Sequence, residues 1–154
     1  MKKYIITLLL VLASVCASAQ LTIKSPIHPK TEVIATAGNN ELNRVGKAYY
    51  LYCRSTNQFD ELETVFLGLT VETAADTMAD IIGMFSKLEV GESVKVEDPI
   101  GHEFRIFKYN KKCITLNYEV QAGSRFLKLG HAKYFFTVLA SEARNQFVAE
   151  QQKK

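Results

Sequence analysis

The sequence has no tryptophan, no glycine-rich phosphate loop and neither of the motifs Gly-x-Ser-x-Gly and His-Glu-x-x-His. The missing tryptophan disfavours a carbohydrate-binding platform, because such platforms rely on large aromatic rings. The missing motifs remove the usual sequence signals for a nucleotide site, an α/β-hydrolase serine and a zinc protease. The sequence therefore predicts no cofactor and no catalytic residue by motif.

Clustered positive charge is also scarce. The formal net charge of +3 falls to +1 without Lys2 and Lys3, and the other adjacent lysines are 111–112 and 153–154. A surface that binds nucleic acid needs several clustered cations to meet the phosphates. We therefore expect no nucleic-acid partner.

Metal-ligand spacing is missing as well. His28, His102 and His131 stand far apart, and none has metal-ligand spacing to another histidine or to a cysteine. Asp76 and Asp80 lie four residues apart on a predicted helix, on the face away from its apolar stripe. They are interpreted as solvated carboxylates rather than as an acid–base or calcium-binding pair. No metal site is predicted.

The N-terminal residues have the pattern of an export signal. Two lysines precede the apolar segment 4–15, which is too short to cross about 30 Å of hydrocarbon as a helix. Ala17 and Ala19 then give the small-x-small pattern that signal peptidase recognises before Gln20. Residues 1–19 are predicted to be a signal peptide. The protein is expected in the periplasm or outside the cell, with the membrane needed only for export.

Cys16 provides an alternative processing site within the same segment. Lipid attachment there would tether the chain to a membrane. The residue before a lipidated cysteine is usually small, whereas Val15 precedes Cys16. Cleavage between Ala19 and Gln20 is therefore the favoured interpretation.

Hydrophobic periodicity divides the rest of the chain into strands and two helices. Strands are predicted at residues 47–54, 63–69, 93–97, 103–109, 113–120 and 126–129. One amphipathic helix is predicted from a capping box at Thr73 and Asp76 to about Leu88, and a second over residues 131–150. The order ββα-ββββα predicts an α+β fold, an antiparallel β-sheet with both helices packed on one face.

Composition further separates the chain into four segments. These are the signal peptide 1–19, an N-terminal arm 20–45 with a candidate edge strand at 31–34, a single α+β domain 46–150, and a charged tail 151–154. The domain is long enough to bury a hydrophobic core without disulfide bonds.

A weak internal similarity appears when the chain is shifted by 60 residues. The matched pairs are Tyr49/Tyr109, Cys53/Cys113, Asn57/Asn117, Phe66/Phe126, Leu67/Leu127, Leu69/Leu129 and Thr77/Thr137. A duplicated ββα unit is one interpretation of these matches, and chance similarity is the other.

Strand alternation predicts a candidate binding surface. Alternate residues of a strand point to opposite faces of the sheet, so two strands each present two aromatic side chains and one arginine on the face opposite Leu51 and Ile106. Tyrosine, phenylalanine and arginine are common in binding hot spots. With one aromatic side chain from a polar loop, the predicted binding residues are Tyr50, Tyr52, Arg54, Phe59, Arg105, Phe107 and Tyr109.

Several alternatives stay open at the level of sequence. Cys53 and Cys113 could form a disulfide in an oxidising compartment, although alternation places them on opposite faces. The leading prediction is a non-enzymatic protein that binds another protein or an envelope component. The alternatives are a small exported hydrolase or thiol enzyme that uses Cys113 or His102, and a structural subunit of an envelope assembly. A homodimer is compatible with each of these alternatives.

Overall fold

The fold consists of two consecutive halves with the same order of elements, ββββα. We describe residues 30–53, 63–118 and 126–152 of a computed structural model of the chain. The first half contains β1 (Thr31–Ala37), β2 (Asn40–Val45), β3 (Ala48–Cys53), β4 (Glu63–Gly68) and helix α1 (Val71–Lys87). The second half contains β5 (Ser93–Glu97), β6 (Glu103–Asn110), β7 (Cys113–Tyr118), β8 (Phe126–Lys128) and helix α2 (Leu129–Gln151).

The strands form two four-stranded antiparallel sheets. Sheet 1 has the order β1-β2-β3-β4, and sheet 2 has the order β5-β6-β7-β8. The predicted α+β class, the antiparallel pairing and the two helices are confirmed. The prediction of one sheet is wrong, because the described strands pair only within their own half.

The segment interpreted as an N-terminal arm contains two strands, whereas the sequence indicated one candidate edge strand there, at 31–34. Residues 31–45, within the segment interpreted as an N-terminal arm, form the β1–β2 hairpin, with β1 at the edge of sheet 1. The strand β2 reads NELNRV and buries two asparagines, Asn40 and Asn43, beside a single buried aliphatic residue, Leu42. Apolar periodicity cannot detect a strand whose buried positions are mostly polar, which explains the difference.

Two glycines allow the tight hairpin turns of sheet 1. Gly38 joins β1 to β2 with φ 60°, and Gly46 joins β2 to β3 with φ 64°. Two-residue hairpin turns require this left-handed conformation, which glycine adopts without steric cost. At Gly38 a Cβ would also lie 2.8 Å from Cε1 of His131, so the turn packs directly on the start of α2.

Helix α1 begins earlier than its sequence signal predicts. Thr70, rather than Thr73, is the N-cap, and the hydroxyls of Thr70 and Thr73 each accept the other residue's backbone N–H, at 3.3 and 3.2 Å. The Thr73 hydroxyl therefore accepts the hydrogen bond that a Glu or Gln side chain accepts in the usual capping box. The face that α1 buries comprises Val71, Ala74, Ala75, Met78, Ile81 and Phe85.

One hydrophobic core joins the two halves. It includes Leu42 and Leu51 of sheet 1, Ile106 and Leu116 of sheet 2, and residues of both helices, all in a single cluster. Truncation of such fully buried aliphatic side chains typically costs about 2–5 kcal/mol. The core is therefore the main reason that the two sheets stay together.

Each helix is hydrogen-bonded to the sheet of the other half. Lys108 of β6 donates to two carbonyl oxygens near the end of α1, and Arg44 of β2 donates to Glu142 of α2. The halves are thus interlocked rather than stacked as two self-contained units.

Only some of the residue pairs that match at a shift of 60 residues occupy equivalent positions in the structure. Leu67 of β4 and Leu127 of β8 are both fully buried, and each strand leads into the helix of its half. Cys53, however, ends β3, whereas Cys113 begins β7. The repeated unit in the structure is therefore ββββα rather than the predicted ββα.

Candidate functional site

The strand β3 shows the alternation that its sequence predicts. Tyr49, Leu51 and Cys53 are buried on the inner face of sheet 1. Tyr50 and Tyr52 are half-buried on the outer face. The predicted site residues Arg54 and Phe59 lie outside the described residues.

The strand β6 alternates in the same way in sheet 2. Phe104 and Ile106 are buried on the inner face, with Lys108 beside them. On the outer face Arg105 is exposed, Phe107 is half-buried and Tyr109 is 56% exposed. The structure therefore places the predicted tyrosines of β3 and the predicted residues of β6 on different sheets.

The outer face of sheet 1 is partly covered, although Val33 at its edge is 53% exposed. Asn43 is 3% exposed and Phe66 is 5% exposed, and the two flank Tyr50 in the register of the sheet. The rings of Tyr50 and Phe66 meet edge to face, with centroids 5.4 Å apart. Within the described part of the chain, Oδ1 of Asn43 has no hydrogen-bond partner. Its described rings are buried or half-buried, so none is as exposed as that of Tyr109.

The outer face of sheet 2 carries an aromatic cluster, in which Tyr109 has the most exposed ring. Phe107, Thr115 and Phe126 lie in one row across β6, β7 and β8, so the two rings shield the small Thr115 between them. Tyr109 packs edge to face on Phe126, with ring centroids 5.1 Å apart. We call Arg105, Phe107, Tyr109 and Phe126 the aromatic patch.

Charged side chains border the aromatic patch on the side of β5. Lys95 pairs with Arg105 in the register of sheet 2, and its ammonium lies 3.6 Å from the carboxylate of Glu103. Lys95, Glu103 and Arg105 are all exposed. An apolar centre with a charged rim is the usual composition of a protein-binding surface.

Phe126 is the member of the patch that the sequence did not predict. It lies in β8, a strand of three residues, which is too short for alternation alone to assign a face. Its match to Phe66 at a shift of 60 residues was a signal, because both phenylalanines stand on the outer face of a strand that precedes a helix.

Lys108 has a structural role at the inner face of sheet 2. Its Nζ donates to the carbonyl oxygens of Phe85 and Leu88, each at 2.6 Å, and the residue is 8% exposed. The carbonyl groups at a helix C-terminus lack hydrogen-bond donors within the helix and carry partial negative charge. A lysine side chain at that end therefore supplies both hydrogen-bond donors and a positive charge. A lysine at an inward position of β6 was the sequence signal for this contact.

A polar network closes sheet 1 against α2. Glu142 accepts hydrogen bonds from Arg44 at 2.7 Å and from the hydroxyl of Tyr49 at 2.8 Å, while Arg44 also donates to Glu32 at 2.6 Å. Burial and then the bond to Glu142 raise the pKa of Tyr49, so it stays a donor. The hydrogen bond with Glu32 is the largest cause that raises the pKa of Arg44. No sequence pattern indicated these contacts, because they join residues far apart in the chain.

The cysteines lie on opposite faces of separate sheets, and both are free thiols. Cys53 is buried with Leu51, while Cys113 is buried on the outer face with Thr115. Burial raises the pKa of the Cys113 thiol, and the charge of Lys128 offsets part of this effect. The thiol form is therefore favoured at neutral pH, which disfavours nucleophilic chemistry.

The two described histidines have structural contacts. His102 is exposed, and its Nδ1 lies 3.6 Å from Asp98, whose other carboxylate oxygen accepts the backbone N–H groups of Ile100 and His102. Nδ1 of His131 lies 3.3 Å from the side-chain nitrogen of Asn40. Among residues 30–53, 63–118 and 126–152, no group of three or more His, Cys, Asp or Glu side chains is placed to hold a metal.

A groove of about 410 Å³ lies between α1 and the strands β5 and β6. Its floor is apolar, with Ile81, Phe104 and Ile106, and the exposed carboxylates Asp80 and Glu97 line its edge. The shape and chemistry suit a small apolar or cationic group. No motif in the sequence indicated this groove.

Comparison of the chain with protein-family models, with curated proteins and with solved structures found no match. Neither α1 nor α2, the helices of the described residues, is long and apolar enough to span a bilayer.

Proposed function

We propose that the chain is an exported binding protein that recognises another protein or an envelope component through the aromatic patch. The observation that carries the proposal is the exposure of Tyr109, 56%, on an outer sheet face where it packs on Phe126. Exposed clusters of large aromatic side chains lose water-accessible apolar surface when a partner covers them. The inner face of the same sheet is filled by other side chains, so Tyr109 is not part of the hydrophobic core.

The composition of the aromatic patch supports a protein-like partner. Rigid aromatic side chains provide large contact area with few rotatable bonds, and Arg105 adds a planar donor for carboxylates or carbonyls. Lys95 and Glu103 at the rim give a partner charged groups of both signs to match. The export step of the proposal rests on the N-terminal sequence pattern alone.

An exported thiol enzyme or hydrolase receives less support. Cys113 is buried with a raised thiol pKa, and the carboxylate near His102 is occupied by backbone hydrogen bonds of its own turn. A nucleophile needs an accessible thiolate or a base within hydrogen-bond distance.

Capture of a partner from an envelope fraction tests the proposal. The full chain is immobilised beside two folded double variants, Phe107→Ala/Tyr109→Ala in the aromatic patch and Tyr50→Ala/Tyr52→Ala on sheet 1 as the matched control. We expect the first variant to lose at least about tenfold in affinity for a partner that the wild-type chain captures, because central aromatic residues dominate binding energy. We expect the second variant to retain the partner.

Three results would count against the proposal. The first is no partner for the wild-type chain, and the second is equal capture by both variants. The third is loss of the partner in the sheet 1 variant alone. Circular dichroism and chemical denaturation of each variant separate a lost surface from a lost fold.

A further inference from the structure

Helix α2 carries a second apolar stripe besides the one that it buries. The buried residues of α2 are Ala132, Phe135 and Leu139, all in its first half. Phe136 and Phe147 are 36% and 62% exposed, although both are large and apolar. Between them Ala140 is exposed, and Ala143 is half-buried because one side of it also packs against the core.

The exposed stripe has the spacing of a helix-pairing seam. Phe136, Ala140, Ala143 and Phe147 follow one another at intervals of four, three and four residues, which keeps them on one side of an α-helix. Two alanines at the centre let a second helix approach closely. The two phenylalanines at the ends provide most of the apolar area.

The exposed stripe has a positively charged residue at one end and a negatively charged residue at the other, both at the same helical spacing. Lys133 stands three residues before Phe136, and Glu150 stands three residues after Phe147. Both side chains are exposed, and neither forms an ion pair with another residue of the described ranges. The stripe is thus positive at one end and negative at the other.

We infer that α2 pairs with α2 of a second copy of this chain, antiparallel, about a two-fold axis midway between Ala140 and Ala143. In that register Lys133 meets Glu150 of the second copy, and Phe136 packs on Phe147 of the second copy. Each alanine meets the other alanine. A two-fold interface requires a patch that is complementary to itself, and this order of charge and size satisfies the requirement.

The charge pattern also selects against the parallel arrangement. Parallel pairing would place lysine on lysine and glutamate on glutamate, and like charges in register are unfavourable. The seam from Lys133 to Glu150 is about 26 Å long. A single helix pair of this length lies near the lower limit of stable interfaces, so a reversible dimer is expected.

Sedimentation equilibrium of the full chain over a range of concentrations tests this inference. The single variants Lys133→Glu and Glu150→Lys each place like charges together twice per dimer, and each is expected to weaken dimerisation by about tenfold or more. The double variant Lys133→Glu/Glu150→Lys restores opposite charges and is expected to dimerise like the wild-type chain. Lys111→Glu, in a turn outside the seam, is the matched control and leaves the association unchanged.

The same experiment has outcomes that would overturn the inference. A monomer at all concentrations would do so, as would single variants that dimerise normally or a double variant that does not recover. A monomer that instead binds anionic vesicles through Phe147 would assign the stripe to a lipid surface. The inference rests on α2 and not on the aromatic patch, so its failure leaves the proposed binding surface intact.

Discussion

The two sheets have the same alternation but different outer faces. On sheet 1 the outer positions Asn43 and Phe66 are almost fully buried, whereas on sheet 2 Arg105 is exposed and Tyr109 is 56% exposed. Strand alternation determines the face on which a side chain lies, but it does not determine whether that face is covered. The aromatic patch of sheet 2, rather than the tyrosines of sheet 1, is therefore the surface that we propose for binding.

Their inner faces are also closed by different chemistry. On sheet 1, Arg44 and Tyr49 both donate hydrogen bonds to the carboxylate of Glu142 in α2. Sheet 2 meets α1 through one buried ammonium, Lys108, on two helix carbonyls. Both contacts join one half of the chain to the other, so the halves are expected to unfold together.

The largest expected effect on stability is at Phe66 of sheet 1, which we compare with Phe126 of sheet 2. Phe66→Ala removes a ring that is 5% exposed and should lower the free energy of unfolding by about 3–5 kcal/mol. Phe126→Ala removes a half-buried ring and should cost about 1–2 kcal/mol, because part of that ring already contacts water. Urea denaturation followed by circular dichroism measures both values. Equal costs would contradict the difference between the two outer faces.

The second largest expected effect on stability is at Lys108, on the inner face of sheet 2. Lys108→Met keeps the apolar stem but removes both bonds to the end of α1, and should lower the free energy of unfolding by about 1–3 kcal/mol. Lys111→Met, in an exposed turn, is the matched control and should change it by less than about 0.5 kcal/mol. A variant as stable as the wild type would mean that desolvation of the ammonium offsets its two bonds.

A smaller effect is expected at the network of sheet 1. Glu142→Gln keeps an acceptor for Tyr49 but removes the charge that faces Arg44, and should cost about 0.5–1 kcal/mol. Salt at about 1 M should reduce the difference between variant and wild type, since partly exposed charges are screened. Denaturation at low and high salt is the measurement. A difference that does not depend on salt would assign the network to packing rather than to charge.

The smallest effect is a pH dependence from His131. Burial, and then the charge of Lys128, lower the pKa of His131 below its ordinary value of 6.5. As the pH falls below 6.5, the unfolded chain binds this proton before the folded chain does, so stability decreases. A pH series of unfolding for the wild type and His131→Gln isolates the contribution. The variant should lose less stability than the wild type over this interval, and parallel curves would contradict the assignment.

Much of the fold could be predicted from periodicity because the relevant patterns are local. The alternation of β3 and β6 and the apolar stripe of α1 each repeat within one element, and the structure agrees with them. The strand β2 was missed because it buries asparagines, which carry no hydrophobic signal. The division into two sheets depends on pairing between distant strands, which one sequence does not reveal.

The candidate site was predicted only in part for the same reason. Phe107 and Tyr109 follow from alternation in one strand, but their neighbour Phe126 joins them through the pairing of β6, β7 and β8. The contact of Arg44 with Glu142 likewise joins distant parts of the chain. Such contacts arise from tertiary packing, and local sequence patterns do not predict them.

Hydroxyl-radical footprinting of the chain, alone and with its captured envelope partner, measures which sheet face the partner covers. The proposed function predicts that the partner protects Phe107, Tyr109 and Phe126 from oxidation, while the reactivity of Tyr50 and Tyr52 stays unchanged. Protection confined to the tyrosines of sheet 1, with the aromatic patch still reactive, would contradict it.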